Sequence, residues 1–228
     1  MKWAYGVTTV PERRKDLLPR TLASLEKAGF PAPRLFVDGA TSGVEWSGLF
    51  GLEITFRHPR MHAFGNWLLS LQELLIREPA ADRYAMFQDD LEACRGLRSY
   101  LEKTSMEGPV YLNCFTTAAS ANGDGWHPSK RPGTGAVALV FNRETVTTLL
   151  QQSWLHGQPL DGIRRKAYID DCVRRCLQPL FYVEMVHGPS LVQHTGALCS
   201  TVGSSMQLVA DGWSENVLDG AGALVGQT

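Results

Sequence analysis

Residues 3–10 are rich in β-branched and aromatic types, which predicts a strand that Pro11 ends. A charged turn from Glu12 to Lys15 leads into a helix. On it Leu18, Leu22 and Leu25 recur at helical spacing, Ala28 follows one turn on, and Gly29 closes it. Residues 34–38 read as a short buried strand ending in Asp38, residues 39–51 as a Gly- and Ser-rich loop, and residues 52–56 as an alternating strand. Trp67, Leu68, Leu71, Leu74 and Leu75 mark an amphipathic helix over 64–78. Residues 84–88, YAMFQ, form a buried strand that stops at Asp89-Asp90. Residues 95–104 look helical and 109–113 extended. Residues 116–134 are small, polar and rich in Gly and Pro, which predicts a long loop around Trp126 and His127. A fully buried strand over 135–141 precedes helices near 143–152 and 162–177, and strands over 180–184 and 190–194. Beyond residue 200 the chain is Gly-rich with weak periodicity.

Strands alternate with helices over the first hundred residues, so the expected fold is α/β, with a mostly parallel sheet flanked by helices. One domain over 1–205 and a loosely ordered tail over 206–228 account for the chain. Ligands of such sheets sit at the carboxyl ends of the strands. The polar residues at strand ends are Thr8, Thr9, Asp38, Asp89, Asp90 and His194.

Composition narrows the classes. With 22 basic and 23 acidic residues, the chain has no bulk charge with which to grip nucleic acid or an anionic membrane. Local basic clusters stand at Arg57-His58-Arg60-His62, Lys130-Arg131 and Arg164-Arg165-Lys166. A 44% hydrophobic content is that of a globular protein and excludes general disorder. No apolar run reaches the ~18 to 20 residues of a membrane helix, and the first residues lack the features of a signal peptide. Five scattered cysteines fit reduced thiols, so a cytoplasmic location, in a bacterial cell or a phage-infected host, is the expectation. Cys172 and Cys176 lie one helical turn apart but have no second pair to complete a zinc site.

The first strand is not followed by Gly-x-Gly-x-x-Gly or by Gly-Lys-Ser/Thr, which disfavours dinucleotide dehydrogenases and P-loop nucleotidases. The absence of Gly-x-Ser-x-Gly disfavours an α/β serine hydrolase. Adjacent carboxylates at Asp89-Asp90 repel unless compensated, and a divalent cation would relieve them; alternatively an Asp caps a helix. His194 offers imidazole as a second ligand or is a satisfied, partly buried histidine. Asp38 before Gly39 fits a turn-forming Asp at the end of a strand. Thr8, Thr9 and Arg13 suit ribose and phosphate, and basic residues at a helix start oppose its dipole. Asp170 and Asp171 are either a catalytic base or helix acids paired with Arg174 and Arg175. Trp67 reads as core, while Trp126, His127 and Lys130 lie on a long loop of the kind that closes over a ligand.

Taken in order, these segments resemble GT-A glycosyltransferases. Thr8-Thr9 with Arg13 resembles their first strand, and LPRTLASLEKAGF with the strand ending at Asp38 resembles the next unit. YAMFQDDL is similar to their Asp-x-Asp-type motif, GTGAVALVF to the strand after their acceptor loop, and PSLVQHTGALCS to a C-terminal His-Gly…Ser element. That last element occurs in N-glycan branching N-acetylglucosaminyltransferases and small bacterial or phage transferases. The likeness spans roughly residues 3–205. It implies a nucleotide-sugar donor, UDP-linked by family habit, held by Thr8, Thr9, Arg13, Asp38, Gly65, Asn66, Gln88 and Asp89. It further implies Mn²⁺ or Mg²⁺ on Asp90 and His194, and Asp170 or Asp171 as the base of an inverting transfer. Trp126, His127, Lys130, Gly133 and Gly135 fall on the acceptor side. Gln88 departs from relatives that carry an acid there. The small size and missing membrane helix also resemble phage-type transferases that act on hydroxymethylated DNA bases; a glycan, lipid or small molecule is the other acceptor class, and a degenerate nucleotide-sugar-binding module the non-enzymatic alternative.

Overall fold

The structure, a computed structural model, describes residues 1–40, 46, 51–158, 168–196 and 210–215. Arg164-Arg165-Lys166, Cys199 and most of the expected 39–51 loop lie outside these residues. The chain runs β1 (Trp3–Thr9), α1 (Leu17–Lys27), β2 (Arg34–Asp38), β3 (Ile54–Arg57), α2 (His62–Arg77), β4 (Arg83–Gln88), β5 (Leu91–Ala93) and α3 (Leu97–Lys103). It continues through β6 (Val110–Asn113), β7 (Gly125–Pro128), β8 (Ala138–Asn142), α4 (Arg143–Leu150), α5 (Ser153–His156), α6 (Ile169–Leu177), β9 (Val183–Gly188) and β10 (Val192–His194).

Eight strands form one sheet in the order β3-β2-β1-β4-β8-β6-β9-β7, and β10 pairs with β5 in a small antiparallel ladder. The half formed by β3, β2, β1 and β4 is parallel, β8 runs against both β4 and β6, and β9 lies parallel to β6. Side chains alternate between two cores. Val7, Val37, Ala85 and Phe87 face the layer with Leu18 and Leu25 of α1 and Leu97 of α3. Ala4, Phe36, Tyr84 and Met86 face Trp67 and Leu71 of α2, Val146 of α4 and Val173 of α6. Strand order reverses direction between β1 and β4, which makes a crevice at their carboxyl ends.

Several sequence expectations change. Gly125–Pro128, inside the expected long loop, is an edge strand on β9, with Trp126 opposite His187. Its polar, glycine-led sequence hides it because an edge strand needs no continuous apolar run. The strand expected over 180–184 starts only at Val183, because residues 178–180 make a 3₁₀ turn and Phe181 takes a positive φ of 62°. The three-residue β5 is too short to carry a pattern. Within the expected loose tail, residues 210–215 dock onto the domain. Ser190 N donates to Asp211 O at 2.8 Å, Asp211 N donates to Thr116 O at 2.8 Å, and Trp213 packs on the core.

Helix α1 is tied to the bend after β4 by one buried hydroxyl. Thr21 Oγ1 lies 2.9 Å from Asp89 O and 3.0 Å from Leu91 O, and accepts from Leu91 N at 3.1 Å. Thr21→Val removes the hydroxyl that accepts from that buried N–H. It should lower unfolding free energy by about 1–3 kcal/mol. Urea melts should show a lower midpoint at unchanged slope.

Candidate functional site

The acids of Gln88-Asp89-Asp90 emerge where β4 ends, beside the end of β1, with Thr8 in register with Gln88. Both carboxylates are 2% exposed. Their charge is met from within the chain. Arg13 Nη1 makes a short contact with Asp89 Oδ1 and lies 2.8 Å from Asp90 Oδ2. Thr9 Oγ1 donates to Asp89 Oδ2 at 2.6 Å, and His194 Nε2 stands 3.2 Å from Asp90 Oδ2. Gly196 closes the same side, for a Cβ there would sit 2.4 Å from Asp90 Oδ2. Burial drives the Asp89 carboxyl up to about 6, against Arg13, which lowers it, while Asp90 raises it further. Burial also acts to raise Asp90, but the His194 hydrogen bond and Arg13 outweigh it and hold that carboxyl below its ordinary range.

Among the described residues, Asp90 Oδ1 and His194 Nδ1 are buried here without hydrogen-bond partners. With the His194 Nε2 proton directed at Asp90, a neutral ring presents Nδ1 as a bare lone pair. A carboxylate oxygen and an imidazole nitrogen are suitable donors for a Mn²⁺-like ion. Among the described residues, no group of three or more His, Cys, Asp or Glu side chains is arranged to hold a metal. With Nε2 facing Asp90, Nδ1 points to the other side of the ring, so the two unmatched atoms converge on one cation only if the imidazole turns.

On the β2 side, Asp38 is 1% exposed and its Oδ1 accepts from Met61 N at 2.7 Å, ahead of α2. Burial raises its carboxyl, against the opposing amides of Met61 and His62. Gly65 and Asn66 lie inside α2 and not at its open end. Asn66 donates from Nδ2 to Phe36 O and accepts from Arg57 Nε, both at 3.0 Å. These contacts fasten α2 to β2 and β3. Thr8 is half-buried at the crevice, and Arg60 pairs with Glu12 at 3.1 Å across its rim. Of the basic cluster at 57–62, both arginines thus face acids of their own chain, since Arg57 also reaches Glu73 at 3.3 Å.

On the β8 side, the segment before the strand is clamped. Glu184 Oε2 accepts from Gly133 N at 2.9 Å, Asp170 Oδ2 accepts from Gly135 N at 2.6 Å, and Gln88 Nε2 donates to Ala136 O at 2.7 Å. Gly135 needs its positive φ of 80°, and a Cβ there would meet Phe115 at 2.5 Å. The two acids at the start of α6 separate clearly. Asp171 is tied to Arg174 at 2.7 Å and Arg175 at 2.5 Å on the helix surface. Asp170 turns inward, and burial raises its carboxyl despite the opposing amides.

Trp126 is not an open platform. It stacks on Tyr100 at 6.5 Å, meets His187 edge-on at 5.2 Å and donates to Thr104 Oγ1 at 3.1 Å. His127 accepts from Asn122 N at 3.3 Å, and Lys130 is exposed. Behind Trp126, His187 is fully buried. Its Nδ1 lies 2.7 Å from Pro189 O, an acceptor only, so that nitrogen carries the proton and Nε2 accepts from Tyr100 Oη at 2.9 Å.

Thr21, Glu184 and His187 escaped the sequence reading. Thr21 sits on the Leu18–Leu25 face and Glu184 is a lone acid in an apolar strand, so each was visible as a polar residue among apolar positions. Compensation of the acid pair by Arg13 had no local signal, because 76 residues separate Arg13 from Asp89.

No protein-family model and no curated protein matches the chain. Solved structures do resemble it. Similarity to S. aureus TarS has a TM-score of 0.54 at 10% identity, over 86% of this chain and 37% of that one. Similarity to a nucleotidyl transferase from Methanothermobacter thermautotroptrophicus has a TM-score of 0.52 at 14% identity, over 82% and 86%. A glycosyltransferase involved in glycosylation of the major capsid of PBCV-1 matches at a TM-score of 0.40 and 10% identity, over 87% and 94%. The chain has the Rossmann-like fold shared by GT-A enzymes and nucleotidyltransferases: a large, mostly parallel sheet between helices.

Burial holds the His187 pKa below 6.5. A neutral-in-fold histidine adds stability above the unfolded pKa, and that stability is lost as pH falls through the folded one. The stability that His187 contributes should therefore decline below pH 6.5, while the raised Asp89 carboxyl acts in the opposite direction, so the difference in unfolding free energy between the protein and His187→Gln should shift steadily as pH falls. Melts of both from pH 7.5 to 5 check this.

Proposed function

We propose that the protein is a glycosyltransferase that moves a sugar from a nucleotide diphosphate donor, a UDP-sugar, onto an acceptor hydroxyl with inversion. The observation that carries this reading is the buried acid pair at the β1/β4 crevice, bridged by Arg13 and faced by His194. Thr8 and Arg13 stand where ribose and diphosphate would lie, and Gln88 offers a neutral amide beside them. Asp38, Gly65 and Asn66 shape the base side from behind through the α2 junction. A divalent cation, Mn²⁺ or Mg²⁺, would be held by the Asp90 carboxylate and by a ring nitrogen of His194 turned toward it. When bound, it supplies Lewis-acid neutralisation of the charge on a diphosphate leaving group.

Asp170 is the base. The acceptor oxygen forms its bond to the anomeric carbon as the bond from that carbon to the phosphate oxygen breaks. The hydroxyl proton passes to Asp170, and the diphosphate departs with the bonding electron pair. Burial suits Asp170 to this task, because a raised carboxyl accepts a proton more readily near neutral pH. Gly133 and Gly135 line the approach to it, and Lys130 flanks its outer end. Acceptors of two kinds fit a hydroxyl at this position: a saccharide or small molecule, or a hydroxymethylated base in DNA.

The test is UDP release from a panel of UDP-sugars with Mn²⁺, with and without hydroxymethylated DNA. Release that depends on Mn²⁺ supports the reading. Pyrophosphate release from a nucleoside triphosphate and a sugar phosphate, with no UDP release, would replace it with nucleotidyl transfer. Asp90→Asn should lower turnover roughly 10²-fold or more. Asp170→Asn should lower it ~10²–10⁴-fold. Asp171→Asn, whose carboxylate serves Arg174 and Arg175, should stay within a few-fold.

A further inference from the structure

A second recess opens one helical turn along α6 from Asp170. It holds about 290 Å³, and its lining includes Tyr111, Arg174, Gln178, Phe181, Tyr182 and Glu184. Two observations there go unexplained by folding. Phe181 is 84% exposed, and Leu180 and Val183 beside it are 41% and 39% exposed. Phe181 is held in place as the left-handed cap of the 178–180 turn, with Phe181 N donating to Gln178 O at 3.0 Å and Tyr182 N to Leu177 O at 3.2 Å, so its ring stands out at a fixed point. Glu184 is 4% exposed: its Oε2 accepts from Tyr111 Oη at 2.8 Å and from Gly133 N at 2.9 Å, and the Asn113 amide lies near the carboxylate, while Oε1 makes no full hydrogen bond among the described residues.

We infer that this recess is a saccharide subsite, which binds a sugar unit of the acceptor set back from the one whose hydroxyl reacts. The inference rests on the transferase reading and deepens it. A pyranose has an apolar C–H face and an equatorial rim of hydroxyls. Phe181 offers an exposed aromatic face, and Arg174 and Gln178, joined at 3.0 Å, offer planar donors and acceptors at the rim. Net positive charge is lacking: Arg174 is balanced by Asp171, and Glu184 adds a buried carboxyl. That disfavours a phosphate backbone and favours a neutral sugar. The position also fits a chain acceptor. Helix rise places Arg174 about 6 Å and Gln178 about 12 Å along the axis from Asp170. Gly133 on Glu184 and Gly135 on Asp170 make the 133–135 segment a shared wall of the two places.

Isothermal titration of the full chain with malto-, cello- and chito-oligosaccharides of one to four units tests this. The expected result is one series whose affinity grows with length, with Phe181→Ala and Gln178→Ala each weakening the longest member about tenfold. Circular dichroism checks that both variants fold. No gain beyond the monosaccharide in any series, or equal affinity in both variants, overturns the subsite. So does a hydroxymethylated DNA duplex that binds through Phe181. UDP release by the same wild-type protein keeps the two readings apart. Release without length-dependent binding removes the subsite and keeps the transferase. Length-dependent binding through Phe181 without UDP release keeps a saccharide site and removes the transferase.

Discussion

The contact of Arg13 with Asp89 and Asp90 governs the rest of this site. Two carboxylates at 2% exposure cannot both remain ionised without compensation. A guanidinium with 11% side-chain exposure supplies most of it and draws the turn after β1 over the end of β4. Thr9 and His194 complete the set from β1 and β10. Three separated stretches of chain are thereby fixed around one charge arrangement. Asp89 is fully engaged, while Asp90 and His194 each keep one unmatched atom. The pair is thus divided: Asp89 engages both of its oxygens, and Asp90 engages one, with Oδ1 unmatched among the described residues.

A different division holds at α6. Asp171 serves its own helix through Arg174 and Arg175 on the surface, while Asp170 faces the interior and accepts from two backbone amides, Gly135 N at 2.6 Å and Asp171 N at 3.0 Å. In each case burial and partner geometry, not residue type, decide which is which.

Much of this was legible from the residues. The first four strands of the large sheet and helices α1 and α2 followed from apolar periodicity, because each buries a continuous face. β7 and β5 did not, since an edge strand and a three-residue ladder leave no periodic trace. Asp89, Asp90 and His194 were found from their places at strand ends, and the structure brings them together. Trp126 illustrates the opposite case. A tryptophan in a Gly-rich stretch reads as exposed, yet Tyr100 and His187, from α3 and β9, enclose it. Asn66 likewise reads as a helix-end ligand, although its amide joins Phe36 to Arg57. Contacts of this kind depend on partners distant in sequence, and no local pattern encodes them.

The clamp on residues 133–136 has a consequence for redesign. Within four residues the backbone is fastened to β9 through Glu184, to α6 through Asp170 and to β4 through Gln88. Its length is therefore frozen: an inserted or deleted residue would break at least two of these attachments and shift Gln88 relative to the acid pair. The neighbouring stretches at 129–132 and 178–183 have no comparable anchoring to the acid pair. Libraries aimed at changing what the protein accepts belong in those stretches, with the clamp left intact.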